Sequence, residues 1–537
     1  MDIIGFPDSS IAVEICNHRY GSIAGIGFCT DTANLNSRYV GEMFACKHNI
    51  GRVTIFDNPY DSNSNYDRAE ARLCGKTDYE IYFPTDRWFR NGAVELIPDY
   101  SALAWTSAGA AVFAGAVEGV EKAYNYPNHG QEMFNVSGGL YGYDFVGDTP
   151  GTNNLAELYS MVEILKTWYY NIFGVMPIGV SYRNGKTGCS QLLIPKFIFG
   201  RTSSYSYAGD SRTAYGLSKI NGEHLGLPDN FDFNRVAGLQ ESLSTRTWDA
   251  IYTAGLTETQ SREYTTGEIA KAILHKGIAL DFMHLHDAAR APENLNFIDN
   301  IYGDWDAQIG ENFVHRASFG ELMAYKFLRD SIKRISGYEH NGKVIITAEV
   351  GDPYKSQQYE GMSTDLIMAL LRTPISFKID ISGTSLAGSE ISSDCVGIRK
   401  ISTNVYVVDV NLSNAKDGFM SVQLSATASP SYYDFSRPVI SSCTNTGGIL
   451  SITSNIPARL ALFWTVRGGE PKTSRLLCRS NVLGTSHSIN LNDSAVRNYY
   501  NNGSDPKTLN EILSGDIYIG AITDRSQSTL SSVYQLL

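Results

Sequence analysis

Long apolar runs are missing from this 537-residue chain. With no stretch of about 18 consecutive apolar residues, no helix is expected to cross a membrane. Paired cysteines are missing as well: Cys16, Cys29, Cys46, Cys74, Cys189, Cys395, Cys443 and Cys478 include no Cys-x-x-Cys spacing. That excludes a zinc ribbon or a dense disulfide scaffold and points to buried free thiols in a chain folded in a reducing cytosol. No basic block is long enough to follow a phosphate backbone, and the net charge of −12 comes from scattered acids. Nucleic acid is therefore not an expected partner. The opening MDIIGFPDSS has neither a basic segment nor an apolar core before a cleavage site, so it does not read as a secretory signal. A chain of this kind working outside a cell would arrive there by another route, such as assembly into a particle. The glycines of SGGLYG do not follow a strand in the manner of a dinucleotide fingerprint. Neither a Gly-x-Ser-x-Gly elbow nor a cysteine nucleophile with a convincing histidine partner occurs.

Charge is also scarce: 19% of residues are charged, against about 25% in ordinary soluble chains. Tyrosine (32), glycine (49) and an excess of serine and asparagine fill the gap. Such surfaces suit hydrogen bonding and stacking against sugars or proteins, and they equally suit a rigid, strand-rich extracellular or virion protein. The length predicts about two to four domains. Residues 1–345 alternate short apolar strands with amphipathic helices, an α/β pattern. Strands are expected at 23–28, 52–56, 175–182 and 277–286, and helices at 39–48, 155–173 and 319–335. The helix at 155–173 opens on Asn153 and Asn154 as caps and closes on Gly174. Residues 58–99 and 209–248 read as long irregular insertions of the sort that carry binding surfaces. From about residue 371 the helical period gives way to β-alternation with recurring turns. Two β-sandwich modules are expected, at 346–430 and at 431–537, the second with a C-terminal extension.

Five segments of the first region, read in order, carry a resemblance. GIGFCTDTANLNSRYV holds Thr30 and Asp31, and HNIGRVTIFDNP follows about twenty residues later. GQEMFNVSGGL holds Gly130, Glu132, Asn135, Val136 and Leu140. GVMPIGVSYRNGKTG holds Pro177, Ser181 and Gly185, and GIALDFMHLHDAA holds His284, His286 and Asp287. This series, covering roughly residues 1–335, resembles the polysaccharide deacetylase family of metal-dependent carbohydrate esterases. The resemblance implies a distorted (β/α) barrel followed by the two β-sandwich modules, with its site at the C-terminal strand ends. It also implies Thr30 in the position of the base, Asp31 as a metal ligand, Val136 and Leu140 in the two metal-histidine positions, Ser181 in an arginine position and His286 as general acid.

The divergent positions are the chemical ones. A deacetylase needs a Lewis acid to polarise the acyl oxygen and activate water, together with a base and an acid. A catalytic zinc site generally takes three protein ligands and leaves one position open. Asp31 alone survives of the three, and a threonine hydroxyl does not accept a proton near neutral pH. The family mechanism is therefore disfavoured, and no cofactor is the leading expectation. One rearranged alternative remains: His284 and His286, two apart on a strand, would share a face and would join Asp31, with Glu132 or Asp57, around a divalent metal such as zinc. A hydrogen-bonded pair of core histidines is the plainer account. Trp88, Phe89, Tyr205 and Tyr207 are candidates for contact with glycan or a partner, as is Trp305 within Asp304–Trp305–Asp306, which also reads as a turn with a packed indole.

The make-up as a whole resembles tail or appendage proteins of bacterial viruses. That likeness implies a virion location, other virion proteins and surface polysaccharide as partners, a homo-oligomer, and no membrane insertion. Two rivals stay open: an active polysaccharide deacetylase, and an extracellular or cell-surface carbohydrate-binding protein.

Overall fold

The computed structural model describes residues 6–31, 35–57, 65–82, 166–167, 169–181, 197–204, 240–246, 257–283, 285, 292–329, 331–350, 373–412, 418–494, 496 and 507–537. After the short strand β1 (Val13–Ile15), the first region contains seven strands that pair in parallel: β2 (Gly25–Asp31), β3 (Val53–Asp57), β4 (Thr77–Tyr82), β5 (Gly179–Ser181), β6 (Phe199–Ser204), β7 (Gln240–Arg246) and β8 (Ile278–Phe282). β8 pairs with β2, and β2 pairs with β3. The pairings therefore return to their starting point. The two-residue β9 (His315–Arg316) joins the beginning of β2. All five residues of β8 are buried, as expected for a parallel strand covered on both faces.

The helices of this region include α1 (Leu35–Lys47), α2 (Asn65–Cys74), α3 (Glu258–His275), α4 (Pro292–Ile309) and α5 (Phe319–Arg329). α3 begins with a reciprocal capping box between Thr257 and Gln260 and ends at Lys276 in the left-handed conformation. The described end of the 155–173 helix, 166–167 and 169–173, is helical and stops at Gly174, whose φ is +66°. α5 lies close against β2. A Cβ at Gly25 would stand 2.8 Å from Leu322, and one at Gly27 would stand 3.0 Å from both Leu280 and Leu322. A side chain at either position would force Leu322 to shift. Phe28, by contrast, turns toward α4, meeting Tyr302 and Trp305 edge-on at 5.0 and 5.8 Å.

The middle module comprises two antiparallel four-stranded sheets. One runs β1, β12 (Ile375–Asp380), β15 (Val405–Val410), β14 (Gly397–Lys400). The other runs β10 (Ile332–His340), β11 (Lys343–Val350), β16 (Phe419–Ala426), β13 (Ile391–Ser393). This shifts two expectations. The helix expected to reach residue 335 ends at Arg329, and the sandwich strands begin at Ile332 rather than after 345. The chain start, moreover, contributes β1 to the sandwich. In β10 the two consecutive residues 336 and 337 are buried between half-buried neighbours, and a bulge lies between Ile332 and Arg334; that irregularity hides the strand period.

The C-terminal module also differs from expectation. Among the described residues it is one six-stranded antiparallel sheet rather than two stacked sheets, built from β17 (Ile440–Thr446), β18 (Ile449–Thr465), β19 (Arg475–Asn490), β20 (Asp516–Ile522), β21 (Ser528–Leu530) and β22 (Tyr534–Gln535). Three register shifts interrupt the β18–β19 pairing. Bulges of this kind bend a strand and increase its twist, so one strand of 17 residues serves both ends of the sheet. One helical turn, α6 (Leu509–Leu513), packs on it through Ile512.

Candidate functional site

Because the strands of the circuit are parallel, their carboxyl ends lie on one side. Asp31 ends β2 with its backbone opposite Phe56, and Asp57 ends β3 opposite Ile81. Ser181 ends β5 opposite Tyr82 and Arg201. Past β8, the Met283 amide donates to the Cys29 carbonyl at 3.1 Å. The Leu285 amide then donates to the Thr30 hydroxyl at 3.2 Å, and Thr30 is fully buried. Thus the residue in the expected base position braces the segment that leaves β8.

The strand expected at 277–286 ends at Phe282 among the described residues, short of His284 and His286. Those two histidines lie outside the described residues. So do Trp88, Phe89, Tyr205, Tyr207, Glu132, Asn135, Val136 and Leu140. Trp305 is placed plainly: it belongs to α4 rather than a turn, is 1% exposed, and packs on Phe28. It is a core residue, not a contact residue. Its neighbours Asp304 and Asp306 point elsewhere, to Arg262 and to Arg316 with Arg437. A group of three or more His, Cys, Asp or Glu able to hold a metal does not occur among the described residues.

Sequence reasoning missed the polar network toward the amino ends of the strands. Asp78 and Glu80 are both buried on β4, two apart and so on one face. Glu80 accepts from the Ile178 and Gly179 amides, each at 2.9 Å, fastening the start of β5. Asp78 accepts from Arg72 at 2.9 Å and from the Ser318 hydroxyl at 2.8 Å. Ser318 in turn caps α5, exchanging hydrogen bonds with Glu321. Burial and the nearby Asp78 push the Glu321 carboxyl upward, but the charges of Arg52 and Arg19 help bring it below its ordinary value. Burial drives His315 down to about 3, so its ring is neutral at pH 7. These acids are committed to backbone amides, a cap and an ion pair, which makes them structural. The two acids alternating within TDYEIY were the available signal, since a parallel strand normally excludes charge.

A separate groove of about 450 Å³ runs between α3 and α4, lined by Thr259, Arg262, Glu263, Thr266, Asp304 and Gln308. Arg262 is held there by a bidentate pair to Asp304, at 2.5 and 2.8 Å, and lies 3.5 Å from Glu258. Its charge is already satisfied within the protein.

No family model matches the chain, and no curated protein matches it. Among solved structures, pectate lyase PelI from Erwinia chrysanthemi in complex with tetragalacturonic acid is 6% identical, with a TM-score of 0.12, over 18% of this chain and 28% of that one. A tri-modular GH5 (subfamily 4) endo-beta-1,4-glucanase from Bacillus licheniformis is 9% identical, with a TM-score of 0.23, over 95% of this chain and 98% of that one. The same glucanase complexed with cellotetraose gives the same identity, coverage and TM-score. Likenesses this slight say nothing about activity.

Proposed function

We propose that this chain is a structural and adhesive protein of the virion type, a tail or appendage component. Its parallel-strand region would be a deacetylase-like (β/α) barrel that meets surface polysaccharide or neighbouring virion proteins without hydrolysing either. The observation that carries this reading is Thr30: where the resemblance asks for a base, a buried hydroxyl receives the Leu285 amide. A hydroxyl in that role has no capacity to take a proton from water near pH 7. The donors at the resemblance's three ligand positions, Asp31 with Val136 and Leu140, do not fit a transition metal, because one carboxylate does not supply the coordination such an ion needs. Support for a scaffolding role comes from the buried ionic docking of the C-terminal module on α1 and α2, where Arg479 pairs with Glu42 and Asp67.

The same Leu285–Thr30 bond favours a second reading. His284 and His286 flank Leu285 in sequence, and Asp31 follows Thr30, so a metal-dependent deacetylase built on Asp31, His284 and His286 is the rival. Both readings are tested on purified full-length protein by measuring bound metal and acetate release from acetylated polysaccharide, and by probing purified particles for the chain. Substoichiometric metal, no acetate and recovery in particles are expected. Stoichiometric zinc, with acetate release abolished in His286→Ala, would replace this proposal by the rival. Retention on cells with absence from particles would make the chain a cell-surface carbohydrate-binding protein instead.

A further inference from the structure

The junction between the barrel region and the C-terminal module holds a lysine with no carboxylate partner among the described residues. Lys76 opens into β4 and is fully buried. Its Nζ donates to the Ile50 carbonyl and, at 2.7 Å, to the Ser526 carbonyl. Ser526 lies in the turn between β20 and β21, with φ of +59°, so Lys76 ties the amino end of the parallel strands to that turn. Around it the turn is stitched further. The Ser526 hydroxyl donates to the Gly75 carbonyl at 3.1 Å, Asn49 donates to Gln527 at 2.9 Å, and the Ser528 amide donates to Asn49 at 2.8 Å.

The groups acting on Lys76 from the elements packed around it are two thiols and two cations: Cys46 from α1, Cys74 from the end of α2, Arg316 from β9, and Arg437 from the segment leading to β17. Asp306 already binds both arginines. Arg52 reaches the Ser526 hydroxyl at 3.3 Å, and in the turn itself Arg525 pairs with Asp524 at 2.8 Å. Glu42, beyond Cys46, is engaged by Arg479. Burial pushes the Cys46 thiol up to about 12 and the Cys74 thiol well above its ordinary value, so both are neutral near pH 7. An ammonium would bring three N–H donors and a full charge to this place. A neutral amine brings two N–H groups, one for each carbonyl.

We propose that Lys76 is a proton-linked latch: its neutral amine holds the 523–528 turn against the barrel, and its protonation loosens the C-terminal module. The sign follows from linkage. Burial lowers the amine from 10.5 to about 7, so the docked state binds fewer protons than the open state between those values. Docking therefore strengthens as pH rises through that window, and below it the penalty is complete and constant. The buried thiols act oppositely, but only as pH approaches their ordinary value of 9.0. The interval from pH 7 to 8 isolates the lysine.

The test is limited proteolysis of the full chain under conditions where opening is fast relative to cleavage, so that the rate follows the open population. Wild type is compared with Lys76→Gln, whose carboxamide offers the same two carbonyls two N–H donors, and with Lys76→Met. The wild-type rate, divided by that of either variant to cancel the protease's own pH dependence, is expected to fall by up to about tenfold per pH unit above pH 7. A ratio that stays flat overturns the latch. Should neither variant fold, the wild-type denaturant midpoint between pH 7 and 8 decides: a rise supports the latch, and a flat or falling midpoint overturns it.

Discussion

The two β modules hold the same parallel-strand region with different shares of apolar and ionic contact. The middle module mainly shares its apolar core: Leu322, Met323 and Tyr325 of α5 belong to one continuous cluster with Ile375, Phe377, Val408 and Ile346, and a buried carboxylate, Asp409, reaches back to Arg19 at 3.2 Å. The C-terminal module presses Ala461, Phe463, Leu476 and Ile522 onto α1, but its junction also buries charge. Arg479 and Glu42 have fully buried side chains and bond at 2.7 and 3.0 Å, while the third guanidinium nitrogen meets Asp67 at 2.9 Å. Asp67 is shared with Arg38. Apolar docking is indifferent to pH and tolerates changes of shape. Ionic docking is selective, because removing one partner strands another charge out of water.

Three substitutions would sharpen or break that contrast. Arg479→Ala strands Glu42 and Asp67 and should cost about 3–5 kcal/mol, read as a lower denaturant midpoint of the C-terminal module; a loss under about 1 kcal/mol would erase the distinction. Leu322→Ala in α5 opens space where Gly25 and Gly27 admit the side chain, and should cost about 2–5 kcal/mol. Its signature is joint loosening of the barrel region and the middle module in hydrogen exchange, with the C-terminal module unchanged. Thr30→Val keeps the shape but removes one of the two acceptors of the Leu285 amide, leaving the Met283 carbonyl at 3.0 Å, for about 1 kcal/mol. Faster exchange of the Leu285 amide alone, without global unfolding, is the expected readout.

Legibility in the sequence followed apolar content. The runs at 23–28, 52–56 and 277–282 announce β2, β3 and β8, because strands buried on both faces must be apolar throughout. β6 and β7 escaped notice: FGRTSS and QESLSTR are mostly polar, and the latter falls inside a stretch that reads as an irregular insertion. Trp305 was ambiguous because Asp304 and Asp306 flank it and look like a turn. Only the helix rotates the two acids toward Arg262 and Arg316 while driving the indole inward. For the candidate site, Thr30, Val136 and Leu140 were legible only as the residues where the resemblance expects a base and metal ligands, whereas the bond from the Leu285 amide to Thr30 was not legible.

Composition and pattern by themselves determined the α/β beginning, the β-rich remainder and the absence of any Cys-x-x-Cys spacing, since each depends on residue type and local period. Tertiary structure alone decided that β1 joins the middle sandwich, that the last module is one bent sheet, and that Lys76 sits beneath a distant turn with no carboxylate partner among the described residues. Those outcomes rest on contacts between residues hundreds of positions apart, such as Lys76 and Ser526, and local sequence carries no record of which distant group will remove a charge from water.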